Sequence, residues 1–247
     1  SGTSTMDGHI RYCTVTNLTL NGNRRHGTLL RSYYADSCTY RDVHFLHSAG
    51  LATDLVEVWD TRFSLNIWEN CGNSHASALL LRNSTARGEF GVSDDTTNQI
   101  HFISCRWEGF RNGAVRIHGK AHGSGRMLNG VFFTACKMET SVAEGPAFQI
   151  MKNSTIIFVN QLYIAMIAVG PGQVAPLDAI EDHGTHVFMT DVYVQWGRSV
   201  NIANSLVHIW EGGPHVYHKL CTFYPTEDPR EASVVVEPGT TGVTVSA

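Results

Sequence analysis

The chain reads as an all-β protein, a single parallel β-helix of about eight rungs. Three observations carry that reading. One short pattern returns eight times along the sequence. Within each return, apolar residues alternate with others. A second short apolar stretch precedes most of the returns, and no window has the long 3.6-residue apolar period and caps of a helix.

The pattern is anchored at Asn17 in CTVTNLTLNG, then at Asp42, Ser64, Ser104, Ala135, Gln161, Asp191 and Leu220. The intervals are 25, 22, 40, 31, 26, 30 and 29 residues. Repeats of this length are stacked units that share one core. Propeller blades need about 40–50 residues and more regular spacing, so most of these repeats are too short for one. A jelly roll or sandwich is the next alternative.

One residue after the anchor stand Leu18, Val43, Leu65, Cys105, Cys136, Leu162, Val192 and Cys221. Three after it stand Leu20, Phe45, Ile67, Trp107, Met138, Ile164, Val194 and Phe223. The residues between, among them His44, Arg106, Lys137, Tyr163 and Tyr193, include no aliphatic side chain. This is a strand with one buried face. Four residues before the anchor a further apolar column runs from Cys13 and Cys38 to Val187 and Val216, broken only by Asp60 in the third rung.

The second strand reads LVEVW (55–59), ALLLR (78–82), AVRIH (114–118), AFQIM (147–151), PLDAI (176–180) and LVHIW (206–210). Its expected outward columns are Glu57, Leu80, Arg116, Gln149, Asp178 and His208, then Trp59, Arg82, His118, Met151, Ile180 and Trp210. Residues 225–247 form a loop, with a final strand expected over 232–236, in what is otherwise one domain spanning 1–247.

Composition limits the function. A net charge of −4 gives no support for a nucleic-acid surface. No apolar run approaches the roughly 20 residues that span a bilayer, so membrane insertion is not expected. The opening Ser1-Gly2 resembles a tag scar, and no polar cap is visible before the first rung, so the natural chain is expected to continue upstream or to meet a partner there. None of the six cysteines makes a CxxC pair, and five fall in inward columns, where free Cys packs as a small hydrophobe. Cys13 and Cys38 are expected stacked neighbours, close enough to leave a bridge open. No metal site and no cofactor is assigned.

Stacked columns with Asn or Asp at the turn, as at Asn17, Asp42 and Asp191, resemble the right-handed, single-stranded parallel β-helix of the pectate-lyase-like superfamily. VTNLTLNGN (15–23) and the closing VVVEPGTTGVTV (234–245) are similar in style to its phage tailspike and tail-fibre members. The resemblance implies a homotrimer, a location on a virion tail or outside the cell, and a bacterial surface glycan as partner. It does not settle function, because the superfamily holds lyases, hydrolases and non-catalytic stalks. The calcium-site Asp cluster with RxPxxR of pectate lyases is absent. Of the NTD, DD, HG and RIK series of polygalacturonases, only Asp94-Asp95 and His122-Gly123 are echoed, and His118-Gly119 is an equally good HG.

Candidate chemistry follows from stacking. Rungs about 4.8 Å apart place equivalent residues side by side, which makes Glu108 and Glu139 expected neighbours. Like charges this close are expected to raise one of the two pKa values, and a separation of about 5–5.5 Å suits a retaining glycosidase. Trp68, one rung away, is placed to stack on a sugar. Against this, Arg106 and Lys137 on the same face make a solvated charge ladder the simpler reading. The columns of the second strand offer a glycan groove built from Trp59, Arg82, Arg116, His118, Glu57 and Trp210, or an inter-subunit face, since Leu80, Met151 and Ile180 share it. Insertions at 83–99 and 119–129 make Asp94, Asp95 and His122, with His118 beside the second, candidates for acid–base work or a metal, although surface Asp pairs in such loops are usually only solvated turns. The expected function is a phage-type β-helix that binds, and in its enzymatic version depolymerises, a bacterial surface polysaccharide. The alternatives are a non-catalytic structural or host-recognition module and a secreted monomeric lyase or hydrolase.

Overall fold

The structure, a computed structural model, describes residues 9–83, 96–119, 127–167, 178–197, 206–210, 213–223, 230–231 and 234–246. Among them there are strands and no helix. Parallel strands stack as a β-solenoid of about seven turns. A long-sheet ladder runs from Thr14–Asn21 through Thr39–Leu46, Leu128–Thr140, Ser154–Met166 and Thr185–Trp196 to His215–Phe223. A short-sheet ladder runs from Leu30–Tyr33 through Leu79–Arg82, Val115–His118 and Phe148–Ile150 to Val207–Ile209 and Val234–Val236. The closing region holds a further strand, Val243–Ser246, parallel to His215–Phe223.

The anchor residue of each rung has a conformational meaning. Asn17, Asp42, Leu65, Ser104, Ala135, Gln161, Asp191 and Lys219 all sit at φ between 53° and 59°, or at 52° for Lys219. A left-handed residue inside a strand lets two consecutive side chains point outward, which shifts the phase of the alternation. In the fifth rung Val131 and Phe133 point in, Thr134 and Ala135 point out, and Cys136 and Met138 point in again. Asn and Asp tolerate this region best, which is why Asn17, Asp42 and Asp191 mark the turn in the sequence.

Two anchors lie one residue from their expected places. In the third rung Arg41 pairs with Ser64 and Phe45 with Trp68, so the kink falls at Leu65, which is 49% exposed. Asn66 and Trp68 therefore face inward, both with no exposed surface, in place of Leu65 and Ile67. The shift also repairs the column that Asp60 had broken, because Thr61 now fills it, fully buried. In the last rung Val192 pairs with Leu220, so Lys219 is the anchor and Cys221 joins an outward column. Of the six cysteines, Cys38, Cys71, Cys105 and Cys136 are buried, Cys221 is half-buried and Cys13 is exposed. All six are free thiols.

The core is a set of vertical stacks. Tyr40, Phe63, Phe102 and Phe133 lie 4.6, 5.1 and 4.8 Å apart, ring over ring. Phe45, Trp68 and Trp107 do the same at 4.9 and 4.8 Å. Each pair combines full burial with offset ring contact worth about 0.5–1.5 kcal/mol beyond area. Asn66 and Asp182 inside the lumen are matched, whereas the buried Trp107 Nε1 and Trp196 Nε1 have no hydrogen-bond partner among the described residues. Asn66 accepts from Val43 N at 2.8 Å and donates to Tyr40 O at 3.1 Å. Asp182 accepts from Gly184 N at 2.8 Å and from the Tyr217 hydroxyl, with His215 Nδ1 at 3.3 Å. Burial first, then the adjacent Asp182 carboxylate, holds the Tyr217 hydroxyl well above its ordinary pKa.

Candidate functional site

The outer face of the long sheet carries the candidate site. Phe132, Phe158 and Phe188 occupy one outward column on consecutive rungs, with Val216 after them and His101 and Arg62 before them. The rings of His101, Phe132, Phe158 and Phe188 stack in an unbroken ladder with centroids 4.5, 5.2 and 4.9 Å apart. Phe158 is 38% exposed. Five positions further along each strand, across the kink, Tyr163 and Tyr193 pair, and the Tyr163 hydroxyl donates to Gln195 Oε1. Ile156 and Val216 add to the exposed apolar area. A half-solvated stripe of parallel rings is unusual on a surface that has no partner.

The ladder ends in charge. Arg62 stands one rung before His101, and with Arg41, Ser64 and Ile103 it lines a cavity of about 400 Å³. Burial and then the Arg62 guanidinium lower the His101 pKa, which favours a neutral ring at the end of the stack. On the other side of the kink Arg106, Lys137 and Tyr163 share a column.

Glu108 and Glu139 are register partners, as the repeat requires, and Glu69 extends the row by one rung. Lys137 Nζ lies 2.5 Å from Glu139 and 4.0 Å from Glu108, and Arg106 lies 3.6 Å from Glu108. The hydrogen bond to Glu139 is the main cause of the raised Lys137 pKa. Glu108 and Glu139 form a charge ladder in which each has a cation within ion-pair distance, while Glu69 accepts from Asn70 Nδ2 at 3.3 Å.

Several candidates from the sequence are placed differently. Trp68 is not on this face: it lies in the core, where its Nε1 donates to Thr53 Oγ1 at 2.8 Å. Glu57 is fully buried and follows a strand that ends at Val56, at φ 51°. The residue in its expected column is Asp54. Trp59 is half-buried, with its ring 4.2 Å from that of His9 and its Nε1 donating to Thr96 O at 2.5 Å. In the next rungs Glu181 replaces Asp178 as the partner of Gln149 and His208, and Ile180 faces inward.

The short sheet does bring together Leu80, Arg116, Gln149 and His208 in one column, and Arg82 and His118 in the next. Arg82 makes a two-pronged pair with Asp54, Nε to Oδ1 at 3.0 Å and Nη2 to Oδ2 at 3.2 Å. At the far end His208 bridges Asp178 at 2.9 Å and Glu237 at 2.7 Å. Trp210 stacks with both His208 and His183, at 4.3 and 5.2 Å. Burial opposes protonation of His208, but its hydrogen bonds to Glu237 and Asp178 outweigh it and raise the pKa. Arg82, His208 and Trp210 are thus held by these neighbours. Asp94, Asp95 and His122 lie outside the described residues. Among the described residues no group of three or more His, Cys, Asp or Glu is placed to hold a metal ion.

The phenylalanine ladder escaped the reading of the sequence. Its signal was the column three residues before the anchor, aromatic in three successive rungs.

Comparison with known proteins is informative at the level of architecture. No family model matches the chain, and no curated protein matches it in sequence. Among solved structures it is similar to ORF18 of Geobacillus virus E2, with a TM-score of 0.69 and 12% identity over 98% of this chain. It spans 42% of the length of that phage protein. It is also similar to PfbA, a surface adhesin of Streptococcus pneumoniae, with a TM-score of 0.56 and 11% identity over 99% of this chain and 71% of the adhesin. At these identities the likeness is one of fold: the chain is a parallel β-solenoid of the kind found in a phage protein and a bacterial surface adhesin.

Proposed function

We propose that this solenoid is a host-recognition module that holds a bacterial surface polysaccharide along the outer face of its long sheet. The observation that carries the proposal is the half-exposed ring ladder of Phe132, Phe158 and Phe188, prolonged by His101. Sugar rings present apolar C–H faces, and parallel aromatic rings at rung spacing offer matching apolar area at low entropic cost. The phage and adhesin neighbours support a surface-facing role. Arg41 and Arg62 at the end of the ladder favour a glycan that carries acidic groups, since Arg pairs with carboxylate, sulfate or phosphate in two-pronged fashion.

Binding rather than cleavage is the reading this face supports, because Glu108 and Glu139 are engaged by Lys137 and Arg106. The test is titration of the chain against a panel of bacterial capsule and cell-wall polysaccharides. Phe158→Ala and Phe188→Ala are each expected to weaken binding about tenfold, from the area removed, while Glu108→Gln and Glu139→Gln leave binding and the polymer's length unchanged. Affinity that survives both phenylalanine substitutions sinks the proposal. Shortening of the polymer that Glu108→Gln abolishes restores the depolymerase reading.

A second reading has its own observation. Ile156, Phe158, Tyr193 and Val216, each 38–41% exposed, make an apolar area that a second copy would also cover. The homotrimer implied by the resemblance is therefore proposed alongside glycan binding. Its measurement is mass in solution, where a trimer that Phe158→Asp dissociates supports it and a monomer at all concentrations excludes it.

A further inference from the structure

Cys13 and Cys38 are a second feature that the stacking creates, in the first two rungs. Thr14 pairs with Thr39, so the residues before them, Cys13 and Cys38, are also neighbours on adjacent rungs. The backbone bond between Thr39 N and Cys13 O, 2.8 Å, confirms that register at the cysteines themselves. Both occupy the column four residues before the left-handed anchor, at Asn17 and Asp42, and that column faces the lumen in the rungs above. Cys38 Sγ points back toward the first rung, 3.7 Å from Ile10 O. Neighbouring parallel strands stand about 4.8 Å apart, inside the Cα separation of roughly 4.4–6.8 Å that a disulfide requires.

The two thiols differ in access. Cys38 is 1% exposed, whereas Cys13 is exposed to solvent. The strand that follows Cys13, Thr14–Asn21, pairs with Thr39–Leu46 and has no second partner in its sheet among the described residues. Cys105 and Cys136 provide the contrast. They are also register neighbours, one residue before the Arg106–Lys137 pair. Both are buried, so a solution oxidant does not reach them.

We propose that Cys13 and Cys38 form a reversible disulfide that staples the first rung of the solenoid to the second. With a small-molecule disulfide such as oxidised glutathione as oxidant, the Cys13 thiolate attacks one glutathione sulfur, the S–S bond breaks and one glutathione thiolate leaves. The Cys38 thiol, losing its proton to solvent, then attacks the Cys13 sulfur and expels the second glutathione. Two protein thiols are oxidised and one glutathione disulfide is reduced to two thiols. The Cys38 step is the slow one, since burial holds its thiol above the ordinary pKa. The accessible thiol is thus the attacker and the buried one the resolver.

The full chain is incubated with oxidised glutathione at pH 8, and thiols are then counted after unfolding. The six thiols are expected to fall by two, and peptide mass mapping should give one cross-linked pair, Cys13 with Cys38. Amide exchange in Thr14–Asn21 should slow by about tenfold or more relative to the dithiothreitol-reduced chain, because the staple opposes opening of that strand. Cys13→Ser should abolish both the thiol loss and the slowing while keeping the reduced chain's exchange elsewhere. The proposal is overturned by an unchanged thiol count, by glutathione that stays on Cys13 without a cross-link, by a Cys105–Cys136 cross-link instead, or by a staple that leaves exchange in the first strand unaltered.

Discussion

Replacing Trp68 separates two readings of one residue. On the solvent face its removal would matter for a ligand and hardly at all for stability. In the core it lies between Phe45 and Trp107 at 4.9 and 4.8 Å, and its Nε1 donates to a Thr53 hydroxyl that is itself fully buried. Trp68→Phe keeps the stack but removes the indole donor and leaves a gap the size of the missing ring. The lost hydrogen bond and the void together cost about 2–3 kcal/mol. Trp68→Ala empties the whole site and costs about 3–5 kcal/mol. For a domain of this size about 1 kcal/mol moves Tm by roughly 2–4 °C, so the phenylalanine variant should melt about 4–12 °C lower. Far-UV circular dichroism during heating and urea unfolding is the assay, since it does not depend on tryptophan emission. Trp68→Ala with stability within about 0.5 kcal/mol of the parent, as expected of a surface substitution, would refute the one-residue shift of the third rung and everything placed by it.

Three further outcomes follow from the same geometry. Leu65 holds a left-handed conformation while 49% exposed, so Leu65→Asn should raise stability by about 1 kcal/mol; a lowered urea midpoint would contradict that. Tyr217→Phe removes a donor from the fully buried Asp182 carboxylate and should cost about 2–3 kcal/mol, read from the same unfolding curves. The folded-state pKa of His208 is raised, so its stabilising contribution is fully present below the unfolded value of 6.5 and is lost as pH rises through the folded value. His208→Gln should therefore flatten the fall in stability across that window, and an equally steep fall in the variant would show that another group causes it.

The long sheet was legible because alternation over eight or more residues fixes which face is inward. It failed by one residue where two phases were equally apolar. Leu65 and Ile67 fit an inward column by hydrophobicity as well as Trp68 does, and nothing in the sequence announces that Asn66 will be buried against Val43 N and Tyr40 O. The short sheet was legible only as a series of strands. Its segments run to three or four residues, too few for alternation to set a phase, so Glu57 and Asp178 were each placed three residues from the true column members, Asp54 and Glu181. Of the candidate site, the Glu108–Glu139 adjacency followed from the repeat alone. The phenylalanine ladder did not stand out, because the same column holds Thr39, Arg62 and Val216 in other rungs, and an outward aromatic column has no rule that demands it.

The spacing of the His101, Phe132, Phe158 and Phe188 rings, 4.5 to 5.2 Å, also makes the solenoid a ruler. The backbone sets that interval, so side-chain motion cannot retune it. A polymer laid along the ladder meets a contact at every tick, and only one whose own repeat is commensurate with a whole number of ticks keeps its best groups over rings along the full length. One with a mismatched repeat drifts out of phase, and its error grows with each unit. Discrimination then increases with the length of polymer engaged, even though each single contact is unselective.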